Sequence, residues 1–282
     1  MHTYRKKGYL NSEFKLFHLV GAPEEEIGFH YHDFHKIILF LKGNVHYMVE
    51  GKTYELAPYD IVFVNRNDIH KPVIDSSVLY ERIIVYISPG FIDAYRTDTY
   101  DLSYCFHKAK EEQSNVLRIL PLSKSVLLRT AKELEHSFTD TAYANTLYRQ
   151  VLFLEFMIQL NRAALSNHLE YIDSAVCNQK VVDILRYINL HLTSDLTIEH
   201  IAQEFYLSRY HMMRIFKEET GYTIGKYITY KRLSMARELI AEGVPLTSVC
   251  FDCGFKDYST FSRAYKKLYG KSPNSGRSTL EK

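Results

Sequence analysis

The sequence predicts an α+β chain: an antiparallel β-barrel first, then a helical segment, then an all-α domain made of two like halves. Three observations predict it. Residues 36 to 73, KIILFLKGNVHYMVEGKTYELAPYDIVFVNRNDIHKPV, alternate apolar and polar side chains at strand period. Residues 122 to 165 change to helical spacing. Further on, the chain writes nearly one phrase twice: SRYHMMRIFKEETGYT at 208–223 and, 49 residues later, DYSTFSRAYKKLYGKS at 257–272.

Composition bounds the reading. A chain of 282 residues with 46% hydrophobic content can bury a substantial core and has the length of roughly two domains. The opening MHTYRKKGYLNSEF has basic residues but no apolar run behind them, so no signal peptide is expected. The longest apolar stretch, VLFLEFMIQL, is about half of what a membrane helix needs and contains Glu155. Cys105, Cys177, Cys250 and Cys253 are too few and too scattered for a disulfide framework. A soluble, cytoplasmic protein with no membrane partner is expected. The charge is uneven: residues 179–282 carry 16 Lys and Arg against 11 Asp and Glu, a net of +5, whereas residues 1–178 carry 19 against 22, a net of −3. A basic domain on a mildly acidic one points to a polyanion partner for the basic part alone.

The strands come first in order. Turn signals at Lys42-Gly43, Glu50-Gly51 and Ala57-Pro58 divide residues 36–73 into short strands at regular spacing, the pattern of a small antiparallel barrel or sandwich. The barrel domain is assigned to residues 1–121. Residues 122–165 read as two helices, the second capped by Asp140. In that second helix Leu147, Val151, Leu154, Ile158 and Leu165 form a seam interrupted by Asn161, and Phe153, Phe156, Met157 and Leu160 form another apolar face. A helix apolar on two sides needs two partners, the barrel and either a second subunit or more of the same chain; 122–165 is read as a helical dimerisation or packing segment, with a homodimer favoured because two-fold dimers dominate soluble oligomers. Residues 166–178, SNHLEYIDSAVCN, lose the pattern and read as a linker.

The repeat occupies the last domain, 179–282. In its first copy Ile198, Ile201, Ala202 and Phe205 share one face of a short helix starting near Thr197, and Ser208 caps a second helix that buries Met212, Ile215 and Phe216 and stops at Gly221. In the second copy Val249, Cys250 and Cys253 point inward, Gly254 takes the turn, Asp257 caps, and Phe261, Ala264 and Tyr265 pack beneath. First helices match at offset 48 and second helices at 49. The second turn is therefore one residue longer. Two short helices joined by a tight turn form a helix-turn-helix, whose second helix enters the DNA major groove. Ile224 to Ala241 has no proline and reads as one continuous helix between the two copies.

IAQEFYLSRYHMMRIFKEETG in the first copy and VCFDCGFKDYSTFSRAYKKLYGKSP in the second, with GF at 254–255, FSR at 261–263 and GKSP at 270–273, carry a resemblance: the tail is similar to the AraC/XylS family of transcription regulators across roughly 100 residues. The resemblance implies a sensor barrel followed by a double helix-turn-helix that binds double-stranded promoter DNA, with RNA polymerase as a further candidate partner. It puts base-reading residues at Arg209, Tyr210, Met213 and Arg214 in the first recognition helix and at Tyr258, Ser259, Ser262 and Arg263 in the second. Arginine can bridge guanine O6 and N7, and Ser and Tyr can donate to bases or phosphates. Met213 departs from the polar residue often seen there, so this position is read as contacting a thymine methyl or as reading nothing. Lys217 and Lys266 are assigned to phosphate, which sets affinity and not sequence.

In the barrel, GFHYH at 28–32, Lys36, Gly43 and His70 resemble the cupin pattern, HxH followed by Glu and Gly and then another His. Lys36 stands at the Glu. A positive charge where a carboxylate belongs argues against a metal, and His35, one residue off, would point to the opposite strand face. No metal and no cofactor are assigned. His30, His32, Lys36 and His70 are read as polar groups of a cavity for a small-molecule effector, in this family often a sugar or related metabolite. The reading is therefore a ligand-responsive, DNA-binding transcription regulator and not an enzyme. Two rivals are a metal-dependent cupin enzyme fused to a regulatory tail and a repair protein with a reactive cysteine. The C-x-x-C of Cys250 and Cys253 has no second pair to complete a zinc site and falls at inward positions, so it is read as core.

Overall fold

The computed structural model describes residues 10, 12–21, 26–119, 125–166, 169–174 and 176–276; most of the opening segment weighed above as a leader lies outside them. The chain divides into two compact units, Met1–Val176 and Cys177–Lys282.

The first unit is built on two antiparallel sheets. Its strands are β1 (Phe14–Val20), β2 (His35–Lys42), β3 (Val45–Val49), β4 (Lys52–Glu55), β5 (Ile61–Val64), β6 (His70–Ile74), β7 (Glu81–Ile87), β8 (Val116–Ile119), β9 (Leu169–Tyr171) and the two-residue β10 (Val176–Cys177). One sheet runs β1-β7-β2-β5-β8-β9 and the other β10-β4-β3-β6. The expected barrel is thus open, two sheets face to face. All three turn signals fall between strands. The β3–β4 turn is the tightest: Val49 faces Lys52 across it, and Glu50 and Gly51 both take positive φ, 45° and 77°, the combination a two-residue hairpin of the right twist demands.

Strand parity decides where each side chain goes. In β2, Ile37 and Leu39 join Ile61, Phe63, Ile83, Val85 and Ile87 in a core shared with helices. Ile38 and Phe40 turn the other way, with Val62, Val64 and Ile84, onto Val45, Tyr47, Val49 and Tyr54 of the second sheet. Lys36 has the parity of Ile38, so it too points between the sheets.

The helices on the outer side are α1 (Pro89–Asp93), α2 (Tyr104–Glu111), α3 (Val126–Ser137) and α4 (Asn145–Ala164). α1 and α2 fall inside the stretch read from sequence as pure barrel. Asp140 does not cap α4: its carboxylate accepts from the Ala142 amide, closing a turn two residues before the αL residue Ala144 that precedes the helix. Phe153, Phe156, Met157 and Leu160 are wholly buried, while Leu147, Val151, Ile158 and Leu165 are 63%, 52%, 41% and 64% exposed. Asn161 does not interrupt that exposed seam. It is buried, accepts from the Cys105 amide at 2.7 Å and donates to the Leu102 carbonyl at 2.9 Å, tying α2 to α4. The segment read as linker also contains structure, because β9 pairs with β8 through Leu117, Arg118 and Ile119.

The second unit consists of α5 (Gln179–Leu190), α6 (Ile198–Glu204), α7 (Arg209–Thr220), α8 (Ile224–Ala241), α9 (Leu246–Asp252) and α10 (Tyr258–Tyr269). α6 and α9 are offset by 48 residues and α7 and α10 by 49, as the phrase repeat requires. Ser208 and Asp257 accept from the amides of His211 and Thr260; Gly221 and Gly270 end α7 and α10 at φ 72°. These are the same start and stop chemistry in both copies. α8 is a single helix of 18 residues.

Candidate effector cavity and nucleic-acid face

The space between the two sheets of the first unit contains a cavity of about 220 Å³ lined by Leu19, Ile27, Ile38, Pro72 and Ile84 on apolar walls and by His30, His32, Lys36, Tyr47, Tyr80, Arg82 and Tyr86 as polar groups. Pairing assembles it. The His30 and His70 backbones bridge each other, and β2 lies beside β7 with Lys36 opposite Tyr86 and Phe40 opposite Arg82. Ile84 and Arg82 therefore share the inward parity of Lys36.

All four sequence-assigned cavity residues are buried: His30 at 5% exposure, His32 at 3%, Lys36 at 6% and His70 at 0%. The Lys36 ammonium donates to the Tyr47 hydroxyl at 3.2 Å and lies 3.5 Å from His70 Nε2. His70 Nδ1 donates to the Asp68 carbonyl and His30 Nδ1 to that of Gly28, at 2.9 and 2.8 Å; a carbonyl can only accept, so the proton sits on Nδ1 in both rings. Burial, then the Arg82 charge, lowers the Lys36 pKa to about 7. Burial first, then Lys36 and the neighbouring rings, holds His70 far below the usual histidine range. Ligand atoms of His30, His32 and His70 lie within 4.8 Å of one another, close enough to surround a cation. The Lys36 ammonium in contact with one of them and Arg82 on the same cavity oppose a cation there. His35 takes the opposite face, its ring 4.6 Å from that of Phe106.

In the second unit the assigned reading residues form one stripe per recognition helix. Arg209, Tyr210, Met213, Arg214 and Lys217 follow the i, i+4, i+8 line of α7, all exposed; Tyr258, Ser259, Ser262, Arg263 and Lys266 do the same on α10, with Ser262 half-buried. The opposite faces hold Met212, Ile215 and Phe216, and Phe261 and Tyr265, in the core. Arg209 pairs with Glu199 at 2.6 Å. Arg214 pairs with Glu218 at 3.0 Å and meets His211 Nδ1 at 3.2 Å. Arg263 folds back on the Ser259 carbonyl at 3.3 Å. Cys250 and Cys253 are fully buried, and burial pushes the Cys253 thiol up to about 12. A repair nucleophile needs the reverse, an exposed thiol of lowered pKa.

Two family models match. The AraC-like ligand binding domain covers residues 17–156 and a helix-turn-helix domain covers residues 201–279. The chain belongs to the AraC family of transcription regulators. It is 27% identical over 246 residues to the probable transcriptional regulator LumQ of Photobacterium leiognathi, covering 87% of this chain and 90% of that one. It is 24% identical over 262 residues to the HTH-type transcriptional activator RhaS of Klebsiella pneumoniae, covering 89% and 87%. Among solved structures, the C-terminal domain of AraT, a response regulator from Geobacillus stearothermophilus, aligns at 32% identity over 36% of this chain and 84% of that one, with a TM-score of 0.35.

This AraC-family protein is a DNA-binding transcription regulator with a ligand-binding domain, and its relatives are regulators and not enzymes. Among the described residues no helix is long and apolar enough to cross a membrane. The cavity holds groups that sequence reasoning missed: Arg82, Tyr47, Tyr80 and Tyr86. Their signal was parity, since Arg82, Ile84 and Tyr86 alternate with Ile83, Val85 and Ile87, but choosing which face is inward requires the pairing of β7 with β2, 40 or more residues away in sequence.

Proposed function

We propose that the cavity lined by His30, His32 and Lys36, with His70 buried behind Lys36, is the effector site of this AraC-family regulator, and that Arg209, Tyr210, Met213, Arg214, Tyr258, Ser259, Ser262 and Arg263 read promoter bases while Lys217 and Lys266 hold phosphate. The observation that carries the DNA assignment is the recurrence of one exposed stripe, with arginine at 214 and 263, on two helices capped at equivalent positions, by Ser208 and Asp257. The observation that carries the sensor assignment is a partly open cavity with apolar walls and converging polar groups.

We place effector sensing in residues 1–121 and DNA binding in 179–282, with 122–165 as the dimer segment. The exposed seam of Leu147, Val151, Ile158 and Leu165 supports a homodimer, because a second copy would present the same apolar stripe on an antiparallel or parallel helix and cover both. RhaS being described as an activator supports RNA polymerase as a further partner, and a cytoplasmic location fits a family of DNA-binding regulators.

Binding-site selection with the full chain tests the reading. Arg214→Ala and Arg263→Ala each relax base preference at one segment, at a cost of about 1–3 kcal/mol, and Lys217→Ala weakens all sequences alike. An unchanged base profile in both arginine variants would move those residues to the phosphates.

A further inference from the structure

Among the described residues of the first unit, the buried charge outside the cavity is compensated and the buried cations on the cavity wall are not. Asp60, fully buried, receives two hydrogen bonds from Arg118, at 2.7 and 2.8 Å. Lys36 and Arg82 are buried to a similar degree, 6% and 7% exposed, and the cavity they line contains no carboxylate among the described residues. The partners of Lys36 are a phenol and an imidazole. Those of Arg82 are two backbone carbonyls, of Gly21 and Tyr80, both taken by Nη1, and the Tyr80 ring 4.0 Å beneath the guanidinium. Neutral groups soften a buried cation but do not cancel it, and the cost shows in Lys36, whose pKa burial lowers to about 7 so that its ammonium is only partly populated near neutral pH; an anion beside it would hold the charged form. The histidines do not help, since burial keeps His70 neutral.

A hydrophobic residue at position 36 would suit the parity of β2 and the company of Ile38 and Ile84. A lysine kept there makes sense if something bound in the cavity supplies the opposite charge. Resting on the assignment of this cavity as the effector site, we propose that its ligand is a small organic anion, a carboxylate on a compact apolar body, whose charge meets the cationic wall of Lys36 and Arg82 while its body lies against Leu19, Ile27, Ile38 and Ile84. A cavity of about 220 Å³ has room for a compact acid. A neutral sugar would leave both cations unanswered, and a metal ion would add to their charge.

Thermal unfolding of the full chain tests this with cyclohexanecarboxylate against its neutral isostere cyclohexanecarboxamide, with D-glucose and zinc chloride as further arms. At about 10 mM the acid raises the midpoint by about 3 °C and the amide by less than about 1 °C. Lys36→Met abolishes the response to the acid and itself melts higher than the parent without ligand, because an uncancelled buried charge is gone; a lysine with a merely structural role would give a lower midpoint. Arg82→Met, which also breaks two backbone contacts, weakens the response and serves as the second variant. Stabilisation by the amide or by glucose that Lys36→Met abolishes would keep the cavity as the sensor and overturn the anion alone. Stabilisation by the acid that survives both variants would place the ligand elsewhere and overturn both readings. Acid without effect, or zinc stabilisation that His70→Ala removes, would overturn the anion.

Discussion

The two helix-turn-helix units have one backbone and opposite electrostatics. α7 and α10 begin on the same cap chemistry, end on glycines of equal φ and bury the same face. Yet where α7 has Glu218, α10 has Lys267, and where α6 has Glu199, α9 has Thr247. Both arginines of the first stripe are therefore held by carboxylates, whereas Arg263 is held by a carbonyl and a hydroxyl of its own helix. An exposed i,i+4 pair is worth only about 0.3–0.5 kcal/mol, against about 1–3 kcal/mol for an arginine set bidentate on guanine. With the arginines reading guanine as proposed, DNA wins in both units, but in the first it must displace a carboxylate. The difference teaches that the two units share a scaffold and differ in the residues beside the proposed reading stripe, which on this reading tune the strength of each half.

That comparison is sharpest at the arginines. Arg263→Ala should cost about 1–3 kcal/mol in promoter affinity, and Arg214→Ala less by the value of the Glu218 pair. Fluorescence anisotropy with labelled promoter DNA at fixed salt would check the order, and equal losses would remove the carboxylate's role. Next come the turns. Tyr206 and Gly254 are equivalent at offset 48 and both have positive φ, 52° and 79°. Tyr206 is 95% exposed, while a Cβ at Gly254 would meet the Arg232 guanidinium at 3.0 Å. That guanidinium is fixed by hydrogen bonds to the carbonyls of Leu192 and Ser194. Gly254→Ala should therefore lose about 1–2 kcal/mol from its backbone conformation, with the contact adding to it. Tyr206→Gly should stay within about 1 kcal/mol of the parent, because relief of the left-handed backbone offsets the entropy of a new glycine. Urea unfolding of Cys177–Lys282 measures both, and equal losses would mean the two turns are not distinguished by packing. The smallest effect is expected of Glu218→Gln, which frees Arg214 and should tighten promoter binding about twofold. Weaker binding would show that the glutamate orients the arginine instead of competing with the DNA.

The second unit was legible in sequence because its signals are local. Caps, stop glycines and the 3.6-residue stripe lie within a dozen residues of what they specify, and the repeat supplies each signal twice. The first unit was legible as far as parity reaches: the turn glycines, the inward aim of Lys36 and the outward aim of His35 all follow from a period of two. Arg82 and the three tyrosines of the cavity were missed because their inward face is set by pairing between β2 and β7, a long-range choice. Asn161 was misread for a related reason. A polar residue in an apolar seam looks like an interruption until the Leu102 carbonyl and the Cys105 amide, more than 50 positions earlier, supply its partners. The open barrel and the strand in the supposed linker came from the same kind of distant pairing.

We propose that one chain reads two adjacent groove segments through a rigid spacer. α8 runs for 18 residues without a break, a length of roughly 27 Å at 1.5 Å per residue. Helix widths at its ends bring the recognition helices to about 34 Å, one turn of DNA. The most direct measurement is the affinity of Cys177–Lys282 for its site before and after insertion of about 5 base pairs between the two segments, which turns one segment to the far side of the duplex. Binding at least about tenfold weaker, at the level of one helix-turn-helix, is the expected result. Equal affinity for the lengthened site would mean that the two units do not engage DNA together and that α8 is not the ruler.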